Sequence, residues 1–256
     1  DAQLVVNYGS ISAPGYTVAG DHSTGLLLPA AGQLAASVAG KSSLWISSNN
    51  TAVGNDSLPS STTGASNIAA GSNALKSNTT GANNSAFGHS ALTLNTTGYD
   101  NIAVGKSAMS ANTTGFYNTA IGNYTLQNIT TSGVWNVALG NNALNLTTTG
   151  QYNVAAGGTA LESNTTGSYN AAVGNAALKS NSTGRNNVAL GSDSLNGNTT
   201  GNFNVAIGRR AGYATSGGST TNANTTGTSN TFVGAYSLPS VTTLLDHATA
   251  LGADAL

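Results

Sequence analysis

From Asn50 onward one pattern, Asn-x-Ala-x-Gly-x-x-Ala-Leu-x-x-Asn-Thr-Thr-Gly, recurs almost to the end of the 256-residue chain. The glycine closing its first five residues stands at 54, 71, 88, 105, 122, 140, 157, 174, 191, 208 and 234. The step is 17 residues, with one of 18 (Gly122 to Gly140) and one of 26 (Gly208 to Gly234); a degenerate copy closes at Gly252. A fixed period in this range denotes stacked units, each touching only its neighbours. Seventeen residues are too few for a strand plus a crossover helix, and no 3.6-residue hydrophobic period is sustained. The expectation is an all-β chain, a parallel β-solenoid or β-roll of about 12 coils, roughly 55–60 Å long at ~4.8 Å per coil.

Within a unit, Asn204-Val-Ala-Ile-Gly208 reads as a strand of about five residues. Side chains alternate between faces, so Ala206 points one way and Val205 and Ile207 the other. The residue four after the glycine, leucine in nine coils from Leu58 to Leu238 and Met109 in another, is the expected inward anchor of the return path. Asn-Thr-Thr-Gly is turn chemistry, with Asn bonding the backbone two residues on and Gly supplying a φ that others cannot. Identical slots stack as ladders. Asn67, Asn84, Asn101, Asn118, Asn136, Asn153, Asn170, Asn187 and Asn204 are therefore expected to hydrogen-bond from coil to coil. Both strand faces are apolar, yet a thin coil has one interior. The leftover face calls for sister chains, hence a homo-oligomer.

Residues 1–48 lack the repeat and read as a small β segment, with Leu4–Val6 and Ser43–Ser47 as strands between turn formers; residues 49–256 are the array, which is expected to continue past Leu256. The run from Gly20-Asp-His-Ser-Thr-Gly25 through Pro29, Gln33-Leu-Ala and Gly40 to Leu44-Trp-Ile46 resembles a segment common in bacteriophage tail-fibre proteins. The strands Asn187-Val-Ala-Leu-Gly191 and Asn204-Val-Ala-Ile-Gly208 resemble the head repeat of trimeric autotransporter adhesins. That resemblance implies a trimeric, left-handed parallel β-roll that binds host surfaces. The chain departs from it in its longer unit and in having no heptads for a coiled-coil stalk.

Seven basic and eight acidic residues leave a net charge of −1, so neutral Asn, Thr and Ser must keep the surface wet. Clustered Lys and Arg for nucleic acid or an anionic membrane surface are missing, and no apolar run suffices for membrane insertion. There is no cysteine. The three histidines, the single Glu162 and the scattered aspartates form no acid–base pair or metal set, so no enzyme, cofactor or metal is expected. Two features break the uniformity. Tyr117, Trp135, Tyr152 and Tyr169 precede the asparagine of consecutive coils, with Phe203 two coils on. Stacking makes them a column, read first as an aromatic ladder and second as a glycan platform. The insertion near 209–222 carries Arg209, Arg210 and Tyr213 as candidate lateral contacts.

The functional expectation is a structural and adhesive segment of a trimeric extracellular fibre, a virion tail fibre or cell-surface appendage. Its partners would be a host-cell surface glycan or protein and other fibre or tail components. The alternatives are a bacterial trimeric autotransporter-like adhesin and an ice-binding β-solenoid displaying Thr-Thr pairs, of which alternation leaves one residue per pair on a flat face.

Overall fold

The computed structural model describes residues 16–18, 21–27, 34–38, 41–47, 49–58, 62–130, 132–213, 225–237 and 246–255. The expected strand at Leu4–Val6 and most of the insertion lie outside them. Among the described residues there is no α-helix. Sixteen strands among these residues form one sheet in sequence order. The first four, β1 (Tyr16–Val18), β2 (Asp21–Leu27), β3 (Leu34–Val38) and β4 (Lys41–Ile46), form an antiparallel meander. From β5 (Asn50–Val53) to β16 (Thr249–Leu251) every pairing is parallel and in the register of the repeat. The parallel β-solenoid is therefore the fold.

A coil described throughout turns five side chains inward. In the coil opened by Asn84 these are Asn84, Ala86, Ala91, Leu92 and Asn95, all fully buried. Four are small or polar, so the interior is narrow. Leucine fills most of it, and asparagine amides replace hydrophobic bulk along two of its walls.

The strand is shorter than the five residues expected. It spans Val205–Ile207 in the coil of Asn204, because Asn204 N–H donates to Asn187 Oδ1 (3.0 Å) rather than to a neighbouring strand. At the other end Gly208 has φ 130°. The need for glycine here is double: at Gly54 (φ 126°) a Cβ would also lie 2.7 Å from the Gly71 carbonyl carbon. Outside the strands the coils remain bonded. Leu75 N–H donates to Ala91 O (3.0 Å), Gly88 N–H to Ala70 O (2.7 Å) and Ser90 N–H to Ser72 O (2.9 Å). A three-residue strand is thus only part of a ladder that runs round the coil.

The inward leucines occupy the left-handed region, at φ 51° for Leu75, Leu92 and Leu178 and 52° for Met109 and Leu161. That conformation costs an L-residue about 1–2 kcal/mol. Full burial of the side chain returns about 1.5–3 kcal/mol. Burial wins, which is why leucine holds a position where local propensity favours Gly or Asn.

At the N-terminal end β4 runs antiparallel to β5, with Trp45 opposite Ala52 and Ala35 opposite Trp45. Trp45 and Ala35 are buried, so the meander roofs the column of inward alanines and covers the edge of the first coil.

One interior layer departs from the pattern. Phe232 fills the alanine slot and is fully buried. Gly212 stands in the leucine slot one coil earlier, and a Cβ there would lie 2.8 Å from both Phe232 Cδ2 and Leu195 Cδ2. The ring occupies the space a leucine at 212 would take.

Candidate functional site

The asparagines that open the strands form the ladder the repeat predicts. Asn84 Oδ1 accepts from both the backbone N–H and the side-chain amide of Asn101 (3.1 Å each), and Asn101 Nδ2 also donates to Gly115 O (2.8 Å). The same set recurs at Asn67, Asn118, Asn136, Asn153, Asn170, Asn187 and Asn204. Every donor and acceptor of the amide is used, as a buried asparagine requires.

A second ladder was not foreseen. The asparagine of Asn-Thr-Thr-Gly, read as bonding backbone two residues on, instead points inward and reaches three residues on: Asn95 Nδ2 donates to Gly98 O (3.0 Å) and to Asn78 Oδ1 (2.9 Å). Asn112, Asn181 and Asn198 repeat the arrangement, and Asn164 keeps its bond to Gly167 O. The signal was its 17-residue recurrence, which turn chemistry alone does not require. The ladder breaks where Ile129 and Thr147 take the slot, leaving Asn112 Oδ1 and Thr147 Oγ1 without a partner.

Three surfaces surround this core. The outer sheet face presents the first and third residues flanking each inward alanine. Across β5–β16 none of these is Asp, Glu, Lys or Arg. Ile68, Phe87, Ile102, Ile121, Leu139, Val154, Val173, Leu190 and Ile207 are each exposed by about two-fifths. The edge following the sheet carries the ion pairs Lys76–Asp56 (3.7 Å), Lys179–Glu162 (3.4 Å) and Arg210–Asp193 (3.8 Å), each between consecutive coils. The edge preceding the sheet carries hydroxyls and aromatic rings. There the first threonine of a pair donates to the next coil, as Thr96 Oγ1 does to Thr113 O (3.0 Å), while Thr97, Thr166 and Thr200 are exposed.

The aromatic column is present. Ring centroids are 4.3 Å apart for Tyr117–Trp135, 6.4 Å for Trp135–Tyr152 and 4.9 Å for Tyr152–Tyr169. Tyr99 and Phe116, one slot earlier in their coils, extend it by a stack at 4.8 Å and an edge contact to Tyr117 at 5.4 Å. The four rings of the column sit at φ 55–61°, where Asn83 and Asn186 sit in other coils. Ring faces turn toward one another and edges toward solvent. Phe203 stands beyond Asn186, outside the stack.

Arg209, Arg210 and Tyr213 come together with a residue the sequence reading did not include, Tyr236 of the next coil. The guanidinium of Arg209 lies 5.6 Å from the Tyr236 ring centroid; that of Arg210 lies 5.8 Å from it and 6.0 Å from Tyr213. Among the described residues no three His, Cys, Asp or Glu side chains gather as a metal set, and no helix is long and apolar enough to cross a membrane. No family model matches the chain, and neither curated proteins nor solved structures provide a match.

Proposed function

We propose that this chain is a non-catalytic shaft segment of an extracellular homotrimeric fibre that mediates attachment to a host surface, most simply a phage tail fibre or similar appendage. The observation that carries the reading is the outer sheet face. It is regular, free of charge and mostly apolar over twelve strands, with Ser85 and four threonines as its polar members, while among the described residues the ion pairs are confined to the neighbouring edge. At ~4.8 Å per coil and ~10 Å across it amounts to roughly 500 Å², at the upper end of what a monomer leaves open. Depletion of charge is the mark of an interface core. Sister chains of identical repeat present an identical flat face, so closed symmetry covers it at every coil. The number three and a left-handed roll come from the resemblance to trimeric adhesin heads.

The fibre's action is then mechanical: backbone and asparagine ladders make a stiff spacer, and contacts to a surface glycan or protein, or to other tail components, come from the two edges. A cell-surface adhesin uses the same shaft, and a membrane β-barrel as against a tail-attachment domain elsewhere in the polypeptide separates the two. The test is native mass with and without Ile121→Glu and Val173→Glu. A trimer that falls to monomers on substitution supports the reading; a wild-type monomer overturns it.

The exposed column of second threonines favours one rival, ice binding. Its neighbouring slot is uneven, however, holding Ala82, Tyr99, Phe116 and Arg185 in different coils, and a thermal-hysteresis measurement decides between them.

A further inference from the structure

We infer that Arg209, Arg210 and Tyr236 form a recognition site for a carboxylate-bearing glycan, a deepening of the attachment half of the reading above, on which it rests. Four observations converge. The chain has seven basic residues, and this is its only adjacent pair. Both guanidiniums lie within 6 Å of one ring centroid, so two like charges are held over a single tyrosine. Among the described residues Asp193 is the one carboxylate within ion-pair distance of either. It stands 3.8 Å from Arg210 Nε, beyond hydrogen-bond reach, and that Nε is buried with no acceptor. Finally, Arg210 and Tyr236 fill the same slot of successive coils, each at φ 55°, and Tyr236 N–H donates to Arg209 O (2.9 Å), so the repeat itself holds the ring against the arginine pair.

Stability alone is poorly served by this arrangement. An exposed cation–π contact is worth about 0.5–1 kcal/mol, and here two contacts share one ring while their charges repel and a buried N–H goes unbonded. An anion between the two arginines changes each of these at once. It neutralises the pair, and its two coplanar oxygens match the fork of N–H groups that a guanidinium presents. A sugar bearing that carboxylate brings an apolar ring face for Tyr236 or Tyr213. A uronate-type polymer supplies such groups at regular intervals along its chain.

The test uses the full chain in its native oligomeric state, with polygalacturonate immobilised on a sensor, its fully methyl-esterified form as the neutral arm and polyphosphate as the phosphate arm. The expected result is binding to polygalacturonate that weakens at least ~10-fold on esterification and on Arg209→Ala/Arg210→Ala substitution. Arg210→Lys, which keeps the charge but loses the fork, should weaken it by several-fold. Equal binding of the esterified polymer, an unchanged affinity of the double variant, or preference for polyphosphate overturns the inference. Attachment to cells and native mass are measured on the same double variant. If wild type attaches to cells but not to polygalacturonate, and the variant attaches equally well, this site is wrong and the fibre reading stands.

Discussion

Asn112 and Ile129 occupy the same slot of successive coils, seven residues after Gly105 and Gly122, and the side-chain carbonyl of the first meets no donor on the second. A buried acceptor left unpaired costs about 1–3 kcal/mol. Ile129→Asn restores a donor to Asn112 Oδ1 and an acceptor within the slot of Thr147. The substitution should raise stability by about 1 kcal/mol, read as a higher denaturant midpoint with unchanged slope; a lower midpoint would show that the isoleucine's packing outweighs the missing bond.

The pair Gly212 and Phe232 lends itself to a double-mutant cycle. Phe232→Ala should leave a cavity and cost about 3–5 kcal/mol. Gly212→Leu alone should overpack against Phe232 and Leu195, costing about 1–3 kcal/mol. Together they recreate the Ala and Leu slots of the other coils, so the double variant should lie well above the sum of the singles. Additive losses would refute the exchange of volume.

Asn153 tests the strand-opening ladder. Its amide donates to Asn136 Oδ1 and Gly167 O and accepts from Asn170. Asn153→Asp removes both donors and sets a carboxylate against two carbonyl oxygens, so it should destabilise by more than Asn153→Ala, and the deficit should shrink as pH falls and the acid is protonated. The sign follows because the fold disfavours the charged form: its folded pKa rises, and the penalty is present above it. Parallel pH profiles for the two variants would count against the ladder.

For the aromatic column the terms nearly cancel. Holding Trp135 and Tyr152 in the left-handed region costs about 1–2 kcal/mol each, and each stacked pair returns about 0.5–1.5 kcal/mol. Replacing Trp135 and Tyr152 by Asn should therefore change stability by less than about 1 kcal/mol. With ring faces turned on one another, cell attachment should survive Trp135→Ala with Tyr152→Ala. Loss of attachment in a folded variant would make the column a contact surface after all.

Much of this architecture is legible in the repeat. A fixed spacing names the stack, alternation around Ala206 assigns inside and outside, and the recurring Asn204 slot predicts a ladder. What escapes notice does so for identifiable reasons. The leucines adopt a backbone conformation their chemistry resists, and only full burial selects it. The asparagine of Asn-Thr-Thr-Gly sits in so good a turn sequence that its inward role is hidden. Phe232 is conspicuous as an exception, but its compensation lies 20 residues away at Gly212, and proximity across coils cannot be read from one copy. Tyr236 joins the arginines only because stacking brings the next coil over them.

The bonding that runs right round each coil has a mechanical consequence. One coil adds ~4.8 Å to the rod but holds 17 residues, which reach up to ~60 Å when drawn straight. Tension applied at one terminus must peel these turns away singly, each yielding more than ten times its own height in slack. A tether made this way would absorb a sudden tug by lengthening in quantised jumps, sparing whatever it is fastened to.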